Sequence, residues 1–174
     1  MSGPVFMAAE RVTFHPVEEA DLEFFRDLIN HPEVREGLAA TRPRNMADER
    51  EWFESLGEDG VQFCLRVDGE RVGTVSFRQF SEEWGTTELA YFFHPDHWGN
   101  GYATEAVRRM TTYGFEQRRL GKVWARVLAF NDASARVLEK AGFEHEATLR
   151  GQAFARGERV DVERYGALAD EWEG

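Results

Sequence analysis

From Val61 to Val67 apolar residues alternate strictly with Gln62, Cys64 and Arg66, Asp68-Gly69 interrupts them, and an apolar stretch resumes from Val72 to Phe80. A period of two broken by Asp-Gly is the pattern of a β-hairpin, because both turn positions need φ > 0 and these residues tolerate it. Thr86 to His94 continues the alternation and makes a third strand of a meander. The period then changes. Gly101 to Arg118 places Ala103, Ala106, Val107, Met110 and Gly114 on one helical face. Downstream come a strand at Val123–Leu128, a helix at 132–141, a strand at Phe143–Leu149 and an extended segment at Val160–Leu168.

Upstream, MAAERVTFHPV reads as one strand closed by Pro16. Glu18–Asn30 has Leu22, Phe24, Phe25, Leu28 and Ile29 at helical spacing, ended by His31-Pro32. A second helical region, broken by TRPRN at 41–45, runs through Trp52, Phe53 and Leu56. The predicted order is β-α-α-β-β-β-α-β-α-β-β, an α/β (α+β) fold. Its mixed, mostly antiparallel sheet of about seven strands carries helices on both faces. At 174 residues, with no repeat or linker, the chain is expected to form a single domain over 1–174.

Composition narrows the function. The net charge of −11 comes from 32 acidic against 21 basic residues and opposes binding to nucleic acid or to an anionic membrane. It favours cationic partners. The N-terminal MSGPVFMAAERV has no basic segment leading into a long apolar run, so it is not read as a secretory signal. The single cysteine, Cys64, excludes an internal disulfide framework and a multi-cysteine zinc site, and the expected location is the cytoplasm.

The stretch most suggestive of chemistry is Glu88-Leu-Ala-Tyr-Phe-Phe-His-Pro-Asp-His-Trp-Gly-Asn-Gly-Tyr-Ala-Thr-Glu-Ala106. A strand enters a turn holding Gly99 and Gly101, and a helix starts at once. Glycine lets backbone N–H groups approach a ligand, and the helix start adds free donors and a positive dipole end. Such a turn suits a diphosphate without a lysine; it also suits a plain strand–helix connection. No G-x-x-x-x-G-K-[ST] occurs, and the third glycine of a dinucleotide fingerprint is missing. A second segment, VWARVLAFNDASARVLEKAGF at 123–143, has Asn131, Asp132 and Ser134 at a helix start and Gly142 at its end. Alone, these read as caps.

Together the two segments resemble the acetyl-CoA motifs of the GNAT superfamily, in the form typical of its RimJ/RimL-type branch. Gly101 and Ala103 match the two small positions of the signature, and Trp98 stands where the general family has Gln or Arg. The resemblance covers essentially the whole chain and implies an acetyl-CoA-dependent N-acetyltransferase. Backbone N–H groups from Gly99 through Asn100, Gly101, Tyr102 and Ala103 to Thr104 would hold the diphosphate. The pantetheine arm would pair with backbone near Phe92 and His94. Asn131 would orient acetyl-CoA, and Ser134 would assist the leaving thiolate, because the second motif's helix lacks the tyrosine that related enzymes use.

Glu88, inside the strand on the face of Ala90 and Phe92, is the candidate base; an arginine-paired glutamate is the other reading. Some branch members carry a carboxylate before an aromatic past the Gly-Phe pair, whereas here Ala153 precedes Phe154. His94-Pro-Asp-His97 lacks further ligands at metal-site spacing, so no metal is expected. Trp52, Phe53 and Trp84 are read as core or as the lining of an amine pocket. The expected partner is an amine, on a protein N-terminus or a small molecule, and the chain is expected to act as a monomer or homodimer. Rival readings are an acyl-CoA-binding sensor without catalysis and an unrelated binding module.

Overall fold

The computed structural model describes residues 3–58 and 60–174. Among them, eight strands form one sheet in the order Met7–Ala8, Val12–Pro16, Val61–Val67, Glu70–Ser81, Thr86–Phe93, Lys122–Leu128, Glu158–Leu168 and Glu144–Ala155. The meander is present as β3 (Val61–Val67), β4 (Glu70–Ser81) and β5 (Thr86–Phe93), antiparallel throughout. Asp68 and Gly69 have φ of 51° and 81°, as a two-residue hairpin turn demands.

The first strand expected from the sequence is two. Met7–Ala8 (β1) folds back on Val12–Pro16 (β2), which is why the sheet has eight strands and not seven. Helices α1 (Leu22–Asn30), α2 (Pro32–Leu38) and α3 (Met46–Glu54) follow. Pro32 ends α1 and starts α2, since a missing N–H is harmless at a first helical position. The TRPRN break is fixed by Asn30, whose side chain donates to and accepts from the Arg44 backbone. Asn45 then caps α3.

After β5 come α4 (Tyr102–Gln117), β6 (Lys122–Leu128), α5 (Asp132–Ala141), β7 (Glu144–Ala155) and β8 (Glu158–Leu168). Strand β7 runs past Leu149 through a bulge to Ala155, and Arg156-Gly157 turns it into β8. The strand pairings put Phe14, Phe63, Val75, Phe77, Leu89 and Phe93 on one face, where they join Val107, Met110 and Tyr113 of α4 in the core. Gly114 permits that packing, because a Cβ there would lie 2.9 Å from the Phe77 ring. The opposite face carries Gln62, Ser76, Glu88, Ala90 and Phe92, and faces α1 and α3.

Candidate active site

Strands β5 and β6 pair in parallel only from Thr86–Glu88 to Lys122–Trp124. Beyond Trp124, β6 stays paired to β8 as far as Leu128, while β5 continues beside β4. The sheet therefore forks, and among the described residues no strand pairs with Leu89–Phe93 on that side. An open strand edge displays N–H and C=O groups that an extended ligand can meet.

Glu88 sits at the fork and is 1% exposed. Arg126 reaches it from β6 in bidentate fashion, Nε to Oε1 at 3.0 Å and Nη2 to Oε2 at 3.1 Å. Arg78 donates to Oε1 at 3.1 Å and Gln79 to Oε2 at 2.7 Å. Gln79 comes from a β4 bulge with φ of 51°, the kind of irregularity that redirects a side chain. A carboxylate has about four lone-pair sites, and these four donors occupy them. The sequence placed Glu88 on the right face; the structure shows it tying β4, β5 and β6 together.

At the other end of β5, the turn is locked from within. The Trp98 indole donates to the Phe93 carbonyl at 2.9 Å, and the ring is half exposed. His94 pairs its N–H with the Val72 carbonyl and accepts from the Asp96 N–H through Nδ1. Asn100 donates to the His97 carbonyl. Gly99 and Gly101 have φ of 79° and 82°, and Gly101 caps α4 without a side chain. The first-turn N–H groups of Tyr102, Ala103 and Thr104 thus point away from the helix without intrahelical acceptors. Arg11, Arg108, Arg109 and Lys140 line a groove of about 640 Å³ that includes Gly101 and Thr104, and they share it with Glu10, Glu105 and Glu116. Glu105 anchors this turn to the β1–β2 hairpin, accepting from the backbone N–H groups of Arg11 and Val12 and from the Arg11 guanidinium.

Across the fork, Asn131 caps α5 by accepting from the Ser134 N–H at 3.2 Å, and its amide points at the Gly37 carbonyl of α2. Ser134 meets a residue that the sequence reading overlooked. The Tyr91 hydroxyl lies 2.8 Å from Ser134 Oγ and 3.1 Å from the Ser134 carbonyl oxygen. Burial pushes the Tyr91 phenol above its usual range, against the opposing effect of its bond to Ser134. A phenol is therefore present beside Ser134, although it arrives from β5 and not from the α5 helix. The alternation of β5 was the available signal, because Tyr91 lies on the face opposite Ala90 and Phe92.

On the α1–α3 side, Ala90 and Phe92 form part of a cavity of about 410 Å³. Phe25 and Trp52 line its helical wall, with ring centroids 5.5 Å apart. Gln62 and Ser76 line its floor. Phe53 is not among the lining residues, and Trp84 stands 79% exposed near the β4–β5 turn. Glu49 also lines the cavity and is 4% exposed; its place there was not legible in the sequence, because a glutamate on a polar helix looks like solvated surface. Cys64 is fully buried, and burial pushes its thiol up to about 12, so it is no nucleophile. Among the described residues no group of three or more His, Cys, Asp or Glu is placed to hold a metal ion.

Known proteins share this architecture. The acetyltransferase (GNAT) domain family matches residues 11–144. An uncharacterized N-acetyltransferase, p20, of Bacillus licheniformis is 27% identical over 95% of this chain and 97% of its own length. The spermidine N-acetyltransferase of Vibrio cholerae, solved with CoA and spermine, superposes with a TM-score of 0.87 at 22% identity, over 92% of this chain and 97% of that one. RimL, a ribosomal L7/L12 alpha-N-protein acetyltransferase solved with CoA, also gives 0.87, at 14% identity over 97% of this chain and 100% of that one.

Proposed function

Since the chain belongs to the GNAT acetyltransferase family, it is an acetyl-CoA-dependent N-acetyltransferase, and we propose that it acetylates an α-amino group directly, on a protein N-terminus or a small amino compound, as a RimJ/RimL-type member. The thioester supplies an activated acetyl group, and the amine attacks it without a covalent enzyme intermediate. The N–H groups from Gly99 to Thr104 hold the diphosphate, with Arg108 nearby and Arg11 held by Glu105. The open β5 edge near Phe92 and His94 pairs with the pantetheine arm. Asn131 fixes the start of α5, so that Ser134 Oγ can hydrogen-bond the departing thiolate while Tyr91 donates to Ser134 Oγ; the C–S bond breaks after the C–N bond forms, and the proton that the amine loses passes through solvent to the thiolate. This relay replaces the missing tyrosine of the helix.

The observation that carries the α-amine assignment is the occupied carboxylate of Glu88. With its acceptor sites taken by Arg78, Gln79 and Arg126, it holds the fork and leaves no free lone pair for an incoming proton. An acceptor that loses its proton readily is then favoured. An α-amine has a pKa of about 7.8 and a lysine side chain about 10.4, so near pH 7 about one in seven of the former is neutral against fewer than one in a thousand of the latter. The difference is worth about 3.5 kcal/mol. We place the reaction in the cytoplasm, consistent with a buried free thiol at Cys64.

The test is a peptide bearing both a free N-terminus and an internal lysine, incubated with acetyl-CoA and mapped by tandem mass spectrometry. Acetylation at the α-nitrogen is expected first. Lysine modified as fast as the N-terminus would overturn the α-amine assignment.

A further inference from the structure

We propose that the Glu49 carboxylate receives a second, non-reacting cationic group of the acceptor, so that the α1–α3 cavity selects basic amino compounds over neutral ones of the same shape. The inference rests on the acyl-transfer reading above. Its ground is an unfinished set of contacts. A residue as covered as Glu49 ordinarily has its carboxylate hydrogen-bonded; its oxygens, unlike Arg44 Nε, are not sealed off and stay reachable from the cavity. Glu49 accepts none from any described side chain. Arg44 Nε stands 3.6 Å from its Oε1, too far for a hydrogen bond, and that Nε is itself buried without a partner. Both unfinished groups line one cavity.

The surroundings choose the sign of the missing partner. Gln62 donates to Thr74 and Arg78 to Glu88, and neither hydrogen-bonds Glu49, whose one ionic partner is Arg44 at 3.6 Å; Glu58 adds a second carboxylate to the cavity wall. Trp52 lines the same cavity and is an aromatic of the kind that attracts cations. Burial holds the Glu49 carboxyl above its usual range despite the nearby Arg44, which is the same shortage of partners seen as a proton affinity. The cavity, at about 410 Å³, accommodates a small amino compound, and an acidic protein surface draws cations toward it.

Lysinamide and norleucinamide separate the possibilities, because they share an α-amine and an aliphatic body and differ in one remote charge. Acetylation at the α-nitrogen is measured for the wild type and Glu49→Gln, with CoA affinity followed by calorimetry. The wild type should prefer lysinamide by about tenfold or more in kcat/KM, carried by KM, as a charge-assisted hydrogen bond implies. Glu49→Gln should remove that preference while leaving norleucinamide turnover and CoA affinity nearly unchanged. No preference in the wild type, or an undiminished one in a folded Glu49→Gln, would overturn the proposal. Equal loss on both amides would also overturn it, by making Glu49 a base. If neither amide is acetylated, the α-amine reading is decided by the peptide experiment above. Calorimetric binding of the two amides to the CoA-loaded protein then decides the Glu49 site, where equal affinities refute it.

Discussion

The Tyr91 hydroxyl lies 2.8 Å from Ser134 Oγ, joining β5 to the first turn of α5 across the fork of the sheet. If the pair forms one donor relay, Tyr91→Phe and Ser134→Ala should each lower kcat by about ten- to a hundredfold and leave acetyl-CoA affinity within a few-fold. The double variant should be no worse than the poorer single, because groups acting as one unit are not additive. Loss of about 1 kcal/mol in stability with turnover intact would reduce Ser134 to a helix-start residue.

Glu88 gives the opposite expectation. Glu88→Gln should cost about 1–3 kcal/mol in chemical denaturation, since Arg78 and Arg126 lose a shared acceptor but remain 56% and 41% exposed. The pH profile of kcat/KM should keep its shape. Disappearance of its acidic limb in Glu88→Gln would restore Glu88 as the base.

Gly101 combines a φ of 82° with a close neighbour at the start of α4, where the Arg11 guanidinium is 3.3 Å from a would-be Cβ. Gly101→Glu should abolish CoA binding by calorimetry, through backbone strain and through a negative charge at a diphosphate position. Wild-type affinity in a folded Gly101→Glu protein would remove the turn from the binding site.

Glu105 makes the stability of this turn pH-dependent. Burial alone would raise its carboxyl, but the N–H groups of Arg11 and Val12 and the Arg11 side chain outweigh burial and hold it below the usual range. A lowered folded value means stability that is present above the ordinary carboxylate pKa and is lost as pH falls through the folded one. The wild type should exceed Glu105→Gln by about 1–2 kcal/mol near pH 7, and the gap should close under acid. A gap independent of pH would contradict the assignment.

Much of this architecture was legible because local signals agreed with each other. Alternation with Asp68-Gly69 marked the meander, and Gly99, Gly101 and Gly142 marked where backbone must turn. What escaped depended on contacts between distant segments. Residues 7–16 read as one strand because the reversal at Glu10 carries no glycine or proline. Tyr91 was missed because the phenol was sought in the helix that supplies it in related enzymes, and only the fork of β5 from β6 brings it to Ser134. Glu49 could not be found from a sequence in which acidic residues are common; its burial exists only once α3 lies over the sheet.

The acyl thioester is expected to lie in the fork with its sulfur at the Tyr91–Ser134 pair. A crystal structure of the protein with CoA measures this directly. The sulfur is expected within hydrogen-bonding distance of Ser134 Oγ, and the diphosphate on the N–H groups between Gly99 and Thr104. A CoA molecule bound elsewhere, with its sulfur remote from Ser134 and the fork empty, would contradict it.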